Sequence, residues 1–120
     1  MTKAIDNTVY DATEAVADNA TAWHYCSAAP ANHAGIAAVS LADVTVDTGD
    51  YTPADGDVSG RKTIHGSQTG VTVDANGTVT HLATTDGSTM LELTEVTSQA
   101  VTSGNTIASN AWDTEYRDPT

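Results

Sequence analysis

Asp47-Thr48-Gly49 follows Val44 and Val46. An aspartate in such a tripeptide does hydrolytic chemistry when a second carboxylate shares its proton. That second carboxylate would have to come from a partner subunit. The tripeptide opens an acidic stretch with Asp50 and Pro53 and lacks the residues that normally support such a turn, so a solvated turn is the simpler reading. Asp43, Asp47, Asp50, Asp55 and Asp57 are oxygen ligands of the kind Ca2+ takes. Their spacing does not match the twelve-residue calcium loop with its terminal Glu, and a solvated or docking loop is expected. His24, Cys26 and His33 are three metal-ligand types, but structural zinc wants four, commonly in paired spacings. Strand alternation would instead bury His24 and Cys26 on one face, a small thiol beside a satisfied imidazole. The serines lack a nucleophile elbow, and Gly56, Gly60 and Gly66 do not open a helix as a phosphate loop must. No catalytic residue, cofactor site or metal site is expected.

The elements that would position these residues are legible from turn chemistry. In "VTVDANGTVTHLATTDGSTMLEL", Asn76-Gly77 and Asp86-Gly87 are two-residue hairpin signals, because both tolerate the positive φ of a type I′ turn. The first sets Val73 opposite Thr80 and Val71 opposite Leu82. The second sets Leu82 opposite Leu91 and Thr80 opposite Leu93. Both registers put Val71, Val73, Leu82, Leu91 and Leu93 on one face, as a half-buried three-stranded meander requires. His81 and Glu92 would then oppose each other on the mostly polar face, as an ordinary cross-strand pair.

Elsewhere, Ile5, Val9, Ala12 and Val16 recur at helical spacing, which predicts an amphipathic helix over 8–19 with Thr8 and Asp11 as a capping pair. An N-terminal arm that orders only on a partner is the alternative. "AWHYCSA" reads as a buried strand, 36–46 is ambiguous until "VSLADVTV", and 47–60 is an acidic loop with Pro53 and three glycines. Strands follow at 61–66, in "SQAVTSGNTIAS" around a Ser-Gly-Asn turn, and in "AWDTEY". Short strands with turns every 8–12 residues predict a mainly β protein. The expected fold is an antiparallel sandwich, Ig-like or jelly-roll-like, in a single domain. Residues 1–20 would form the helix or arm, and 21–117 the sandwich.

Composition narrows the partners. Four Lys and Arg face sixteen Asp and Glu, for a net charge of −12. Nucleic-acid affinity comes from neutralised phosphates, so neither nucleic acid nor an anionic membrane surface suits this chain. A basic or cation-rich protein surface does. No apolar run approaches the length of a membrane span. The start, "MTKAIDNTVYD", lacks the apolar core of a signal peptide. One cysteine cannot form an internal disulfide, so synthesis and folding in a cytosol are expected. Phe is absent, Leu, Ile and Val are sparse, and Ala and Thr supply much of the bulk. So small a core predicts stability gained from a partner or from further copies of the chain.

"LADVTVD", "ADGDVSGRK", "GVTVDANGTVTHLA", "TSQAVTSGNT" and "AWDTEYRDP" together resemble a family of small structural proteins of tailed bacteriophages, over about two-thirds of the chain (41–119). The resemblance implies a short, β-rich virion component made in the host bacterial cytoplasm. Its commonest concrete role would be capsid decoration, or cementing, on the exterior of the major capsid protein shell. It carries over no functional residues. Trp23, Tyr51, Trp112 and Tyr116 are the candidate contacts, since aromatics anchor interfaces. A tail, neck or head-fibre component is the alternative, and a hydrolase built on Asp47 the third class.

Overall fold

The computed structural model describes residues 4–119; the first three residues of the expected N-terminal arm lie outside them. The protein is mainly β, with antiparallel sheets arranged as a sandwich behind one short N-terminal helix. Helix α1 spans Asn7–Ala17. Its cap is Asp6, in extended backbone, whose carboxylate accepts from the Thr8 backbone N–H at 2.8 Å and the Thr8 hydroxyl at 2.6 Å. The capping pair predicted at Thr8 and Asp11 therefore lies two residues too late, because Thr8 is already inside the first turn.

One layer is a four-stranded sheet in the order β2-β1-β6-β7. It is built from β1 (Ala22–Cys26), β2 (Ser40–Thr45), β6 (Gly77–Thr85) and β7 (Met90–Val101). The ambiguous segment divides at Ser40: Ile36–Val39 forms a one-turn helix, α2, and β2 follows. The second layer, in the order β3-β4-β9, contains β3 (Tyr51–Asp55), β4 (Arg61–His65) and β9 (Trp112–Tyr116). The expected acidic loop thus holds a strand. Pro53 is accommodated because β3 is an edge, where a missing N–H need not break a ladder. A two-stranded ribbon of β5 (Gln68–Thr72) and β8 (Thr106–Ser109) completes the molecule, which measures 53 × 25 × 24 Å.

The predicted meander is corrected at both turns. Asn76-Gly77 makes no type I′ hairpin, since neither residue has positive φ. Val71 pairs with Ile107 of β8, while β6 pairs with β1 and β7. Gly77 is there for space: a Cβ would sit 2.9 Å from Leu41 Cδ1. The Ser103–Asn105 turn likewise closes no β7–β8 hairpin. Gly104 N–H donates to Val73 O, and Val73 N–H to Asn105 O, each at 2.9 Å. Asp86 does begin the β6–β7 hairpin, but in a longer loop. Its carboxylate accepts from the backbone N–H groups of Ser88 (2.9 Å) and Thr89 (2.7 Å), with only Gly87 at positive φ. Leu82 consequently faces Thr94 rather than Leu91, and Ala83 faces Leu93.

Val71, Val73 and Leu82 are still buried in one core, reached from two sheets rather than one face. Leu91 packs at its margin and Leu93 is 39% exposed. A register shift after Val79 lets both Val79 and Leu82 point into the core, although simple alternation would separate them. Trp23 sits at the centre, and its indole N–H donates to the Tyr51 hydroxyl at 2.8 Å. Cys26, Ala83 and Ile36 form a smaller apolar cluster elsewhere on the sheet.

Candidate interaction surface

The residues singled out for chemistry are mostly committed to structure. Asp47 caps a single 3-10 turn: its carboxylate accepts from Gly49 N–H at 2.8 Å, and the Asp50 carboxylate accepts from Asp47 N–H at 2.9 Å. Asp55 pairs with Arg61 and Asp57 with Lys62, each at 2.8 Å. Asp43 lies on β2 instead, and its carboxylate beside Asp74 raises the Asp74 carboxyl above its ordinary range. The five aspartates do not converge. Among the described residues, no group of three or more His, Cys, Asp or Glu is placed to hold a metal ion. The His24 ring faces the Ser40 hydroxyl at 3.0 Å, and burial lowers its pKa. Cys26 is fully buried, and burial pushes its thiol up to about 11.

His81 does not oppose Glu92. It faces Glu95, while Glu92 lies across from Thr84. This three-residue displacement follows from the longer hairpin loop and a shift beside Thr85. Glu92 instead turns inward. Its carboxylate accepts from the Thr114 hydroxyl at 2.7 Å and meets His65 Nε2 at 2.9 Å. His65 Nδ1 faces Trp112 O at 3.3 Å. Both ring nitrogens thus face oxygen atoms. His65 also stacks on Trp112, with centroids 3.6 Å apart and planes at 14°. Burial opposes ionisation of Glu92, but the hydrogen bonds from His65 and Thr114 outweigh it and hold the carboxyl below its ordinary range. The sequence reading missed this polar knot. His65 and Glu92 are 27 residues apart and meet only when the sheets pack.

Of the four aromatic contact candidates, Trp23 and Tyr51 are core residues, 0% and 6% exposed. That corrects the expectation for both: a fully packed ring offers no surface. Trp112 and Tyr116 are half-buried.

The outward features lie elsewhere. The apolar stripe of α1 faces outward: Val9 is 55% and Val16 60% exposed. The helix docks through Tyr10 and Glu14. The Tyr10 hydroxyl donates to Arg117 O at 2.8 Å and meets Asp118 Oδ1 at 3.1 Å, and its ring stacks on Tyr116. Glu14 is 2% exposed, and neither carboxylate oxygen has a hydrogen-bond partner. Burial raises its pKa, with Asp11 and Asp18 adding to the rise; Thr63 and Arg61 pull the other way. Val9, Ala12 and Val16, with Leu91 and Tyr116, therefore line an open apolar depression. The chain matches no family model, no curated protein and no solved structure. The helix thus presents an apolar face on a protein of net charge −12.

Proposed function

We propose that this chain is a capsid decoration protein of a tailed bacteriophage, one that binds the outer surface of the major capsid protein shell and stabilises it without enzymatic chemistry. The supporting observation is the outward stripe of Val9, Ala12 and Val16 beside Leu91 and Tyr116. It leaves apolar surface on a strongly acidic protein. The resemblance of the 41–119 segments to phage structural proteins gives the partner. Many copies docking across seams between capsid subunits would stabilise the shell by mass action, since a ligand that binds only the intact shell raises its stability with occupancy. The acidic exterior would keep the protein away from packaged DNA.

The elongated outline, 53 Å by about half that width, favours a second reading as a tail, neck or head-fibre module. Copy number in purified particles, measured by quantitative mass spectrometry, separates the two. Copies spread over the whole shell are expected, and a few confined to a vertex or tail would reject the decoration role. Particles lacking the protein should form but release DNA at a lower temperature, and adding back purified chain should restore them. The double variant Val9→Asp/Val16→Asp should fold yet fail to restore them.

A further inference from the structure

The sandwich is open along one side. Between Thr94–Gln99 of β7 and Ile107–Trp112 runs a cleft of about 390 Å3, floored by Tyr25, Val79 and Leu82. One wall is a strand edge. β7 pairs only with β6, so among the described residues its other side has no strand neighbour. Exposed edges are normally blunted by Lys, Pro or brevity. β7 has twelve residues, no Lys and no Pro, about twice the usual strand length. Trp112 lines the same cleft, and its indole N–H is buried without an acceptor.

We propose that this seam is a strand-addition site for an extended segment of a partner polypeptide. The segment would hydrogen-bond to the outer edge of β7 at Thr94–Gln99 and lay alternate apolar side chains over Tyr25, Leu82 and Ile107, the known mode of β-augmentation. Charge selects the occupant. Glu95 lines the cleft, no Lys or Arg does, and the whole chain is at −12. A second copy paired edge to edge would set its own Glu95 against this one, so the segment is basic or uncharged and belongs to another protein. The inference takes from the shell-docking proposal only that a partner polypeptide exists. Peptide binding to the isolated chain and binding of the chain to particles fail independently.

The test is amide hydrogen exchange on the full chain with three synthetic peptides: alternating Val and Thr flanked by lysines, the same core flanked by glutamates, and the lysine version N-methylated on alternate residues. The lysine peptide should slow exchange across Thr94–Gln99 roughly tenfold or more, and the other two should not. Glu95→Lys should weaken that protection several-fold. Thr97→Pro should abolish it, with circular dichroism reporting whether that variant keeps its fold; if it unfolds, Glu95→Lys and the N-methylated peptide decide. No protection, protection elsewhere, or equal effects from the acidic and N-methylated peptides would overturn the proposal. So would protection without peptide that grows with protein concentration, which would make a second copy the occupant.

Discussion

His65 shows how a residue with chemical potential can be spent on structure. It has no exposed surface, stacks on Trp112, and bridges Trp112 O to the Glu92 carboxylate. Removing it leaves Glu92 buried with half its partners, so His65→Ala is expected to cost about 3–5 kcal/mol in urea unfolding, as for breaking a buried pair. Leu82→Ala should cost about 2–5 kcal/mol, the range for a buried Leu truncation. A variant as stable as the parent would remove Leu82 from the core. The two residues differ in legibility. Leu82 is apolar in an alternating run, and its burial could be read from sequence even with the wrong register. His65 and Glu92 read as polar strand residues, and nothing in the spacing of either announces a partner from the other layer.

At the scale of elements, α1 was found by its periodicity, which left open what its apolar stripe faces. Helical spacing identifies an apolar stripe; it does not say that this chain's own core covers it. The docked face carries Glu14, and its raised pKa has a definite sign. The folded protein holds that proton more tightly than the unfolded chain, whose value is the ordinary 4.5. The contribution of Glu14 to stability is therefore complete below pH 4.5 and declines as pH rises through the raised folded value. Glu14→Gln should remove that slope and leave the protein more stable than the parent at neutral pH, measured by thermal unfolding across pH. Glu92 has the opposite sign. Its folded pKa is lowered from 4.5, so its contribution is present above pH 4.5 and is lost as pH falls through the folded value. Glu92→Gln should destabilise at neutral pH and converge on the parent in acid. The turns teach a related lesson. Asn76-Gly77 has the composition of a tight hairpin, yet the glycine answers to the Leu41 side chain from another strand, a demand invisible in a local window.

For the whole molecule, the fold class was readable because short strands separated by turn residues leave few alternatives to stacked sheets. The order of those strands was not, because the β5–β8 and β1–β6 pairings join distant segments. Charge acts at this scale too. Only four Lys and Arg offset sixteen Asp and Glu, and like charges within a Debye length destabilise the compact state. The melting temperature of the isolated chain should rise between low and physiological salt. A flat or falling dependence would mean that the ion pairs of Arg61 and Lys62 outweigh the general repulsion.

Cys26 lies beneath Ile36, fully enclosed, its Sγ 3.5 Å from His24 O. A thiol reagent needs both access and a thiolate, and the closed protein withholds both. The sulfur is therefore a stopwatch for the 27–39 segment, since each alkylation event records one lifting of that cover. If docking on a larger assembly tightens the sandwich, the stopwatch slows, and its rate reports occupancy without any label on the docking face.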